Sequence, residues 1–328
     1  MTIEHIVLGA GGPVGLVSYG ILRELTENNF IKYENIKSIY ATSIGTFIGL
    51  IYILNIEWDW IDDYLIKRPW EQLLNFTSND YLNIINTKGL LDENFFIEFI
   101  KPLLLTKDLS INITLKELYD LTNIEFHLFT SNLNKFDKVD LNYKTYPDLE
   151  LYKALMMSSS IPIFIQPPYY NNEFYLDGAI FTANPVNECL LNEKCDKDKI
   201  LALINDKKNI IDYRTNFVRD ENDDNIIFNT NINENMNILQ FILYMLKIFF
   251  NNVTHIVTGV EKVENTINIA LTQTSVDLAY WRHVLTQEEE RLNLINAGVD
   301  QAKKFMEKNK EEKNNEETNN LENTDKDI

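Results

Sequence analysis

The junction at Ala41, Thr42, Ser43, Ile44 and Gly45 constrains this chain more tightly than any other stretch. Residues 36–40 before it carry apolar side chains at strand spacing, and residues 44–56 after it are apolar enough for a buried helix. A serine between a strand and a helix, with small residues two before and two after, has the shape of a nucleophile elbow. The sharp turn lifts the hydroxyl clear of the backbone, and the helix N-terminus adds a partial positive charge beside it. A serine at a helix start is equally what an ordinary N-cap requires, so the stretch alone leaves both readings open.

The preceding residues extend the pattern. Residues 3–8 form a compact apolar run that reads as a first strand. A loop through Gly9, Gly11, Gly12 and Gly15 follows, and residues 16–25 then carry apolar side chains at helical spacing. Strand, glycine loop, helix, strand, elbow, helix is the start of an α/β sheet. Residues 57–110 break the alternation with helical patterns and Trp58, Trp60 and Trp70, and are read as a helical insertion packed on the sheet. From residue 115 the alternation resumes: helix at 115–121, strands at 125–130 and 139–143, helix at 149–157 stopped by Pro162, strands at 174–176 and 200–204.

The C-terminal third is less regular. Residues 207–237 are rich in Asn and Asp and read as a polar surface loop. Residues 238–250 read as a densely apolar helix, too short to span a bilayer, and residues 287–306 as an amphipathic one. The tail, 307–328, is Glu/Lys/Asn low-complexity sequence with the composition of disorder. The expected organisation is one domain over residues 1–306, with the insertion at 57–110 and the loop at 207–237, followed by a disordered acidic tail.

Charge and cysteine content narrow the function classes. The formal net charge of −19 argues against nucleic acid as a partner and against electrostatic attraction to anionic membranes. Cys189 and Cys195 are too few for a disulfide framework and lack metal-ligand spacing, which suits a reduced, cytoplasmic setting. Residues 1–30 show no signal-peptide pattern, since Glu4 and His5 come early and glycines interrupt the apolar run. No apolar stretch reaches transmembrane length.

The glycine loop admits three readings. As a dinucleotide fingerprint it fails the stricter spacing, because Val14 occupies the third glycine position. As a phosphate loop it lacks Gly-Lys-Ser/Thr. As an oxyanion hole, its glycine N–H groups at a helix start could point at a developing negative charge. A serine nucleophile also needs a base. None of the four histidines, His5, His127, His255 and His283, sits in a recognisable turn at a strand's carboxyl end. Asp177 does close a strand, and Gly178 and Ala179 after it permit a tight turn. A carboxylate within reach of a serine can serve as its general base, although a solvated Asp-Gly turn accounts for the same three residues.

Taken together, Gly11-Gly12-x-x-Gly15, Thr42-Ser43-x-Gly45 and Asp177-Gly178-Ala179 resemble the patatin-like phospholipase family in order and approximate spacing. The stretch from Ala154 through Ser158-Ser159-Ser160-Ile161-Pro162, followed by Pro167-Pro168, resembles that family's approach to its catalytic aspartate. The resemblance covers roughly residues 3–202. It implies a three-layer α/β/α sandwich with a mainly parallel central sheet and a Ser–Asp dyad. Ser43 would be the nucleophile, Asp177 the base, and Gly11 and Gly12, joined by Ile44, the oxyanion hole, with Gly15, Gly45 and Gly178 as supporting motif positions. It also implies ester-linked lipid substrates, phospholipid or neutral lipid, met at a membrane or droplet surface. Neither metal nor cofactor is implied for the acyl transfer.

The sequence departs from the family pattern at three positions. Ala41 stands for the first glycine of the serine motif, Ala10 for the first of three loop glycines, and Val14 for the usual Lys or Arg of the loop. The last change removes a positive charge near the site and leaves the choice between phospholipid and neutral lipid open. Two alternatives stand beside the lipid acyl hydrolase: a Ser–His acyltransferase or esterase, and a catalytically silent lipid-binding module on the same scaffold.

Overall fold

The computed structural model describes residues 2–74, 76–206, 238, 241–242, 244–245, 260–270 and 278–324. The expected loop at 207–237 and most of the expected helix at 238–250 lie outside the described residues.

Among the described residues, eight strands form one sheet in the order β10-β9-β1-β2-β4-β8-β7, with β5 pairing on β4. The strands are β1 His5–Leu8, β2 Ser38–Thr42, β3 Gly89–Leu91, β4 Glu125–Asn132, β5 Asp137–Leu141, β6 Ile163–Ile165, β7 Tyr169–Tyr170, β8 Glu173–Asp177, β9 Ile200–Asp206 and β10 Asn265–Ala270. The five strands from β10 to β4 are parallel, while β5, β7 and β8 are added antiparallel. Strands β3 and β6 pair separately as a two-stranded parallel ribbon, which the sequence pattern did not suggest.

The reason β1 and β2 lack a polar face is that every residue in both is buried, as expected of parallel strands covered on both sides. Helices α1 Gly15–Glu27, α2 Ile44–Ile53, α3 Trp58–Lys67, α4 Ser78–Thr87, α5 Glu93–Leu105, α6 Leu115–Thr122, α7 Leu151–Ser159 and α8 Val186–Glu193 follow in the chain. Two more described helices are α9 Leu278–Thr286 and α10 Glu288–Thr324. The main core joins one face of the sheet to α1, α2, α5, α7, α9 and α10 through residues such as Leu8, Leu50, Phe96, Leu155 and Leu294. A smaller core of Val7, Tyr40, Phe129, Val186, Cys189 and Ala202 packs α8 on the opposite face. The architecture is therefore a mixed α/β sheet with helices on both sides, the fold class expected.

Element boundaries shift by a few residues from the sequence reading. The second strand lies two residues later than expected, at Ser38–Thr42, so it runs to the junction serine. The tail behaves differently from its composition: α10 continues as far as Thr324. Glu and Lys are good helix formers, and no Gly or Pro interrupts the chain after Gly298. No described helix is long and apolar enough to cross a membrane.

Candidate active site

The register of the sheet brings the two ends of the site level. Thr42 on β2 pairs with Phe129 on β4, and Thr130, the next residue of β4, pairs with Asp177 on β8. Thr42 and Asp177 thus flank β4 from either side, about two strand spacings or ~10 Å apart across the sheet, and the turn at Ser43 bridges the gap. Strand β8 runs antiparallel to β4 and ends at Asp177. Asp177 reaches the site because β8 overlaps β4 only at residues 130–132 before the chain turns.

Ser43 has φ 55° and ψ −126°, a conformation L-residues avoid. Surrounding contacts hold it there. Its N–H donates to Ser158 Oγ at 3.0 Å, and Ser158 Oγ in turn donates to the Phe129 carbonyl at 2.6 Å. The Ser43 carbonyl accepts from both the N–H and the Oγ of Thr46, at 2.9 and 2.6 Å. With the backbone so fixed, Ser43 Oγ donates to Asp177 Oδ2 at 2.6 Å.

Asp177 is 2 % exposed. Its N–H donates to the Ser160 carbonyl at 2.9 Å, its own carbonyl accepts from Ser131 Oγ at 2.8 Å, and Oδ1 accepts from the Ala179 N–H at 2.8 Å. Burial pushes its carboxyl up to about 6, against the two hydrogen bonds from Ser43 and Ala179 that favour the ionised form.

The motif glycines are sites of close approach. A Cβ on Gly15 would stand 2.2 Å from Ile44 Cγ1, one on Gly45 2.5 Å from the Leu8 carbonyl oxygen, and one on Gly178 2.2 Å from the Phe129 carbonyl oxygen. Ala41, fully buried and paired to Leu8 and Leu128, is accommodated within the sheet. The loop itself makes a short 3-10 turn, Gly12–Val14, with Gly12 at φ 54°. Gly9 and Ala10 give their N–H groups to the carbonyls of Leu203 and Ala183. Gly11 and Gly12 stand at the turn's start, and Ile44 opens α2 directly after Ser43.

Ser43 faces a cavity of about 130 Å³ whose walls are otherwise apolar except at Gly12, Ser159 and Arg291. Residues 57–110 supply Leu65, Trp70, Leu91, Phe95, Phe96 and Phe99, so these side chains are at once core and cavity wall. Helix α9 adds Trp281, Val284 and Leu285. Three contributors went unrecognised in the sequence. Ser158 lay within a quoted motif without a role, and Trp281 and Arg291 carry no local signal at all.

Of the described histidines, His5 Nδ1 lies 2.7 Å from Ser38 Oγ and His127 Nδ1 lies 2.8 Å from Asp140 Oδ2, while His283 sits on α9 and is not among the residues lining the cavity. His255 lies outside the described residues. Among the described residues no group of three His, Cys, Asp or Glu could hold a metal ion.

A family model described as patatin-like phospholipase matches residues 6–190, more than half of the chain. A probable lipid hydrolase of Invertebrate iridescent virus 6 is 26% identical over 186 residues, 56% of this chain and 62% of that protein. An uncharacterized protein of Acanthamoeba polyphaga mimivirus is 24% identical over 209 residues, 63% of this chain and 67% of its own length. This chain thus covers less than two thirds of the first of these relatives. Among solved structures, VipD from Legionella pneumophila superposes with a TM-score of 0.47 at 14% identity, covering 94% of this chain and 67% of that one.

Proposed function

Because the chain belongs to the patatin-like phospholipase family, we propose that it is a lipid acyl hydrolase of phospholipase A type, working through Ser43 and Asp177. The observation that carries the reading is the 2.6 Å hydrogen bond from a strained, buried Ser43 to a desolvated carboxylate, at the wall of an apolar cavity.

In the proposed reaction Ser43 Oγ attacks the ester carbonyl carbon while its proton passes to Asp177 Oδ2. The carbonyl electron pair moves onto oxygen, and the N–H groups of Gly11, Gly12 and Ile44 receive the oxyanion. Ser43's own N–H is already given to Ser158, which is why the donors have to come from the glycine loop and the start of α2. The intermediate collapses, the alcohol departs with the proton from Asp177, and an acyl-Ser43 ester remains. Water then attacks that ester, passing its proton to Asp177. Ser43 leaves and takes the proton back, and the fatty acid is released. The lipid, phospholipid or neutral, is taken from a membrane or droplet surface.

A fluorophosphonate probe is expected to label the wild-type protein and not Ser43→Ala. Incubation with defined phospholipids and triacylglycerols is expected to release free fatty acid from the wild type alone. Undiminished release by Asp177→Ala would remove the dyad, and release by Ser43→Ala would remove the nucleophile.

A further inference from the structure

Helix α9 brings one large side chain against the glycine loop. A Cβ built on Gly12 would stand 2.5 Å from Cζ2 and 2.9 Å from Nε1 of Trp281, so the indole lies directly on the Gly12 backbone with no room between them. Trp281 and Ser43 line the same cavity. The indole also meets Phe164, another wall residue, at 5.1 Å between centroids and 87° between planes.

The wall is braced from behind. Arg291, 3 % exposed on α10, donates through Nη1 to the carbonyls of Val284 and Leu285 at 2.9 and 2.8 Å, in the last turn of α9. Its Nε donates to the Ile66 carbonyl at 3.1 Å and its Nη2 to the same oxygen, in the last turn of α3. Tyr280, beside Trp281, donates its hydroxyl to Glu290 Oε1 at 2.9 Å. A cation bonded to the carbonyl ends of two helices, with a hydroxyl–carboxylate bond next to it, fixes α9 and with it the indole.

We infer that Trp281 selects the acyl group at its carbonyl end, admitting an unbranched chain and rejecting one that carries a substituent on the carbon next to the carbonyl. The inference rests on the acyl-hydrolase reading. An ester whose oxygen is held by the Gly11 and Gly12 N–H groups has its first acyl carbon only two bonds from that oxygen. The same loop backbone is in contact with the indole, so that carbon passes along the ring face, and a methyl branch on it meets a wall that cannot yield. The remainder of the chain runs into the apolar space lined by Phe47, Ile48, Phe96 and Phe99, which is indifferent to a branch at the first carbon. The substrate class is therefore straight-chain fatty-acyl esters.

The test compares p-nitrophenyl hexanoate with p-nitrophenyl 2-methylhexanoate, whose leaving groups are identical. The wild type is expected to prefer the straight chain, and Trp281→Ala to reduce the ratio of the two kcat/KM values about tenfold or more, the scale of one methyl group in an apolar pocket. Trp281→Phe, with a smaller ring, should fall between them. A ratio is unaffected by general damage to the fold, which lowers both rates together. An unchanged ratio in Trp281→Ala overturns the inference. Should that variant not fold, an unchanged ratio in Trp281→Phe does the same. If the wild type hydrolyses neither ester and Ser43 resists the fluorophosphonate, the hydrolase reading fails, and the wall is then judged by binding alone. Decanoate should displace a fluorescent fatty acid from the wild type at lower concentration than 2-methyldecanoate, and Trp281→Ala should narrow the gap; equal displacement by both acids in the wild type overturns the wall.

Discussion

At the scale of single residues, the candidate site pairs a strained serine with a desolvated carboxyl group. Among the described residues no cation stands at hydrogen-bond distance from the Asp177 carboxyl; a hydroxyl and an amide do, from Ser43 and Ala179. Burial outweighs both and raises the carboxyl to about 6. In the proposed reaction Asp177 has to be ionised to accept the serine proton, so protonation below that value should abolish turnover. For a soluble short-chain ester, log(kcat/KM) is expected to rise with unit slope at acid pH and to level off above about 6. A stopped or discontinuous assay across pH 4–8 measures this directly. An inflection near the ordinary aspartate value would mean that Asp177 is more hydrated than its 2 % exposure implies.

At the scale of elements, α9 is the piece whose placement depends on others. Its last turn is tied to the last turn of α3 by one guanidinium, and all of the Arg291 hydrogen bonds described go to backbone carbonyls. Burial pulls the Arg291 pKa down, which marks the cost of keeping that charge inside. Replacing it with methionine removes this cost but leaves buried carbonyls of Ile66, Val284 and Leu285 without donors, at roughly 1–3 kcal/mol for each one that water cannot reach. Arg291→Met is therefore expected to lower the urea midpoint of unfolding by an amount equivalent to about 2 kcal/mol or more. It should also loosen the straight-chain preference in the same direction as Trp281→Ala, though less. Unfolding that matches wild type would show that α9 is held by packing rather than by the arginine.

At the scale of the whole molecule, two properties act together: an apolar cavity assembled from distant parts of the chain, and a strongly negative net charge of −19. The cavity walls come from the glycine loop, residues 57–110, α2, α7 and α9, and Trp281 and Arg291 lie beyond the residues 6–190 matched by the family model. The charge repels anionic surfaces over about a Debye length, ~10 Å at 0.1 M salt. Fatty-acid release from zwitterionic phosphatidylcholine vesicles is accordingly expected to exceed that from phosphatidylglycerol vesicles of the same acyl composition at low salt. Added salt should narrow the difference. Faster release from the anionic vesicles would point to a local basic surface that outweighs the net charge.

The elements legible before folding are those whose information is local. A small-residue turn around Ser43 between a strand and a helix, a glycine loop after the first strand, and an Asp-Gly step closing another can each be read from a few consecutive residues. The motif order then singled out Ser43 and Asp177, which stand 134 positions apart in the chain and 2.6 Å apart in space. Tertiary structure alone decided that β8 enters antiparallel, since a strand's direction depends on the connection before it and not on its own five residues. It alone decided that Ser158 holds the N–H of Ser43, because three adjacent serines at the end of α7 look alike until the helix is docked on β4. The placement of Trp281 on Gly12 and of Arg291 beneath α9 belongs to the same class. Both residues act through contacts with parts of the chain more than two hundred positions away, Gly12 for one and Ile66 for the other, and no local pattern encodes such a meeting.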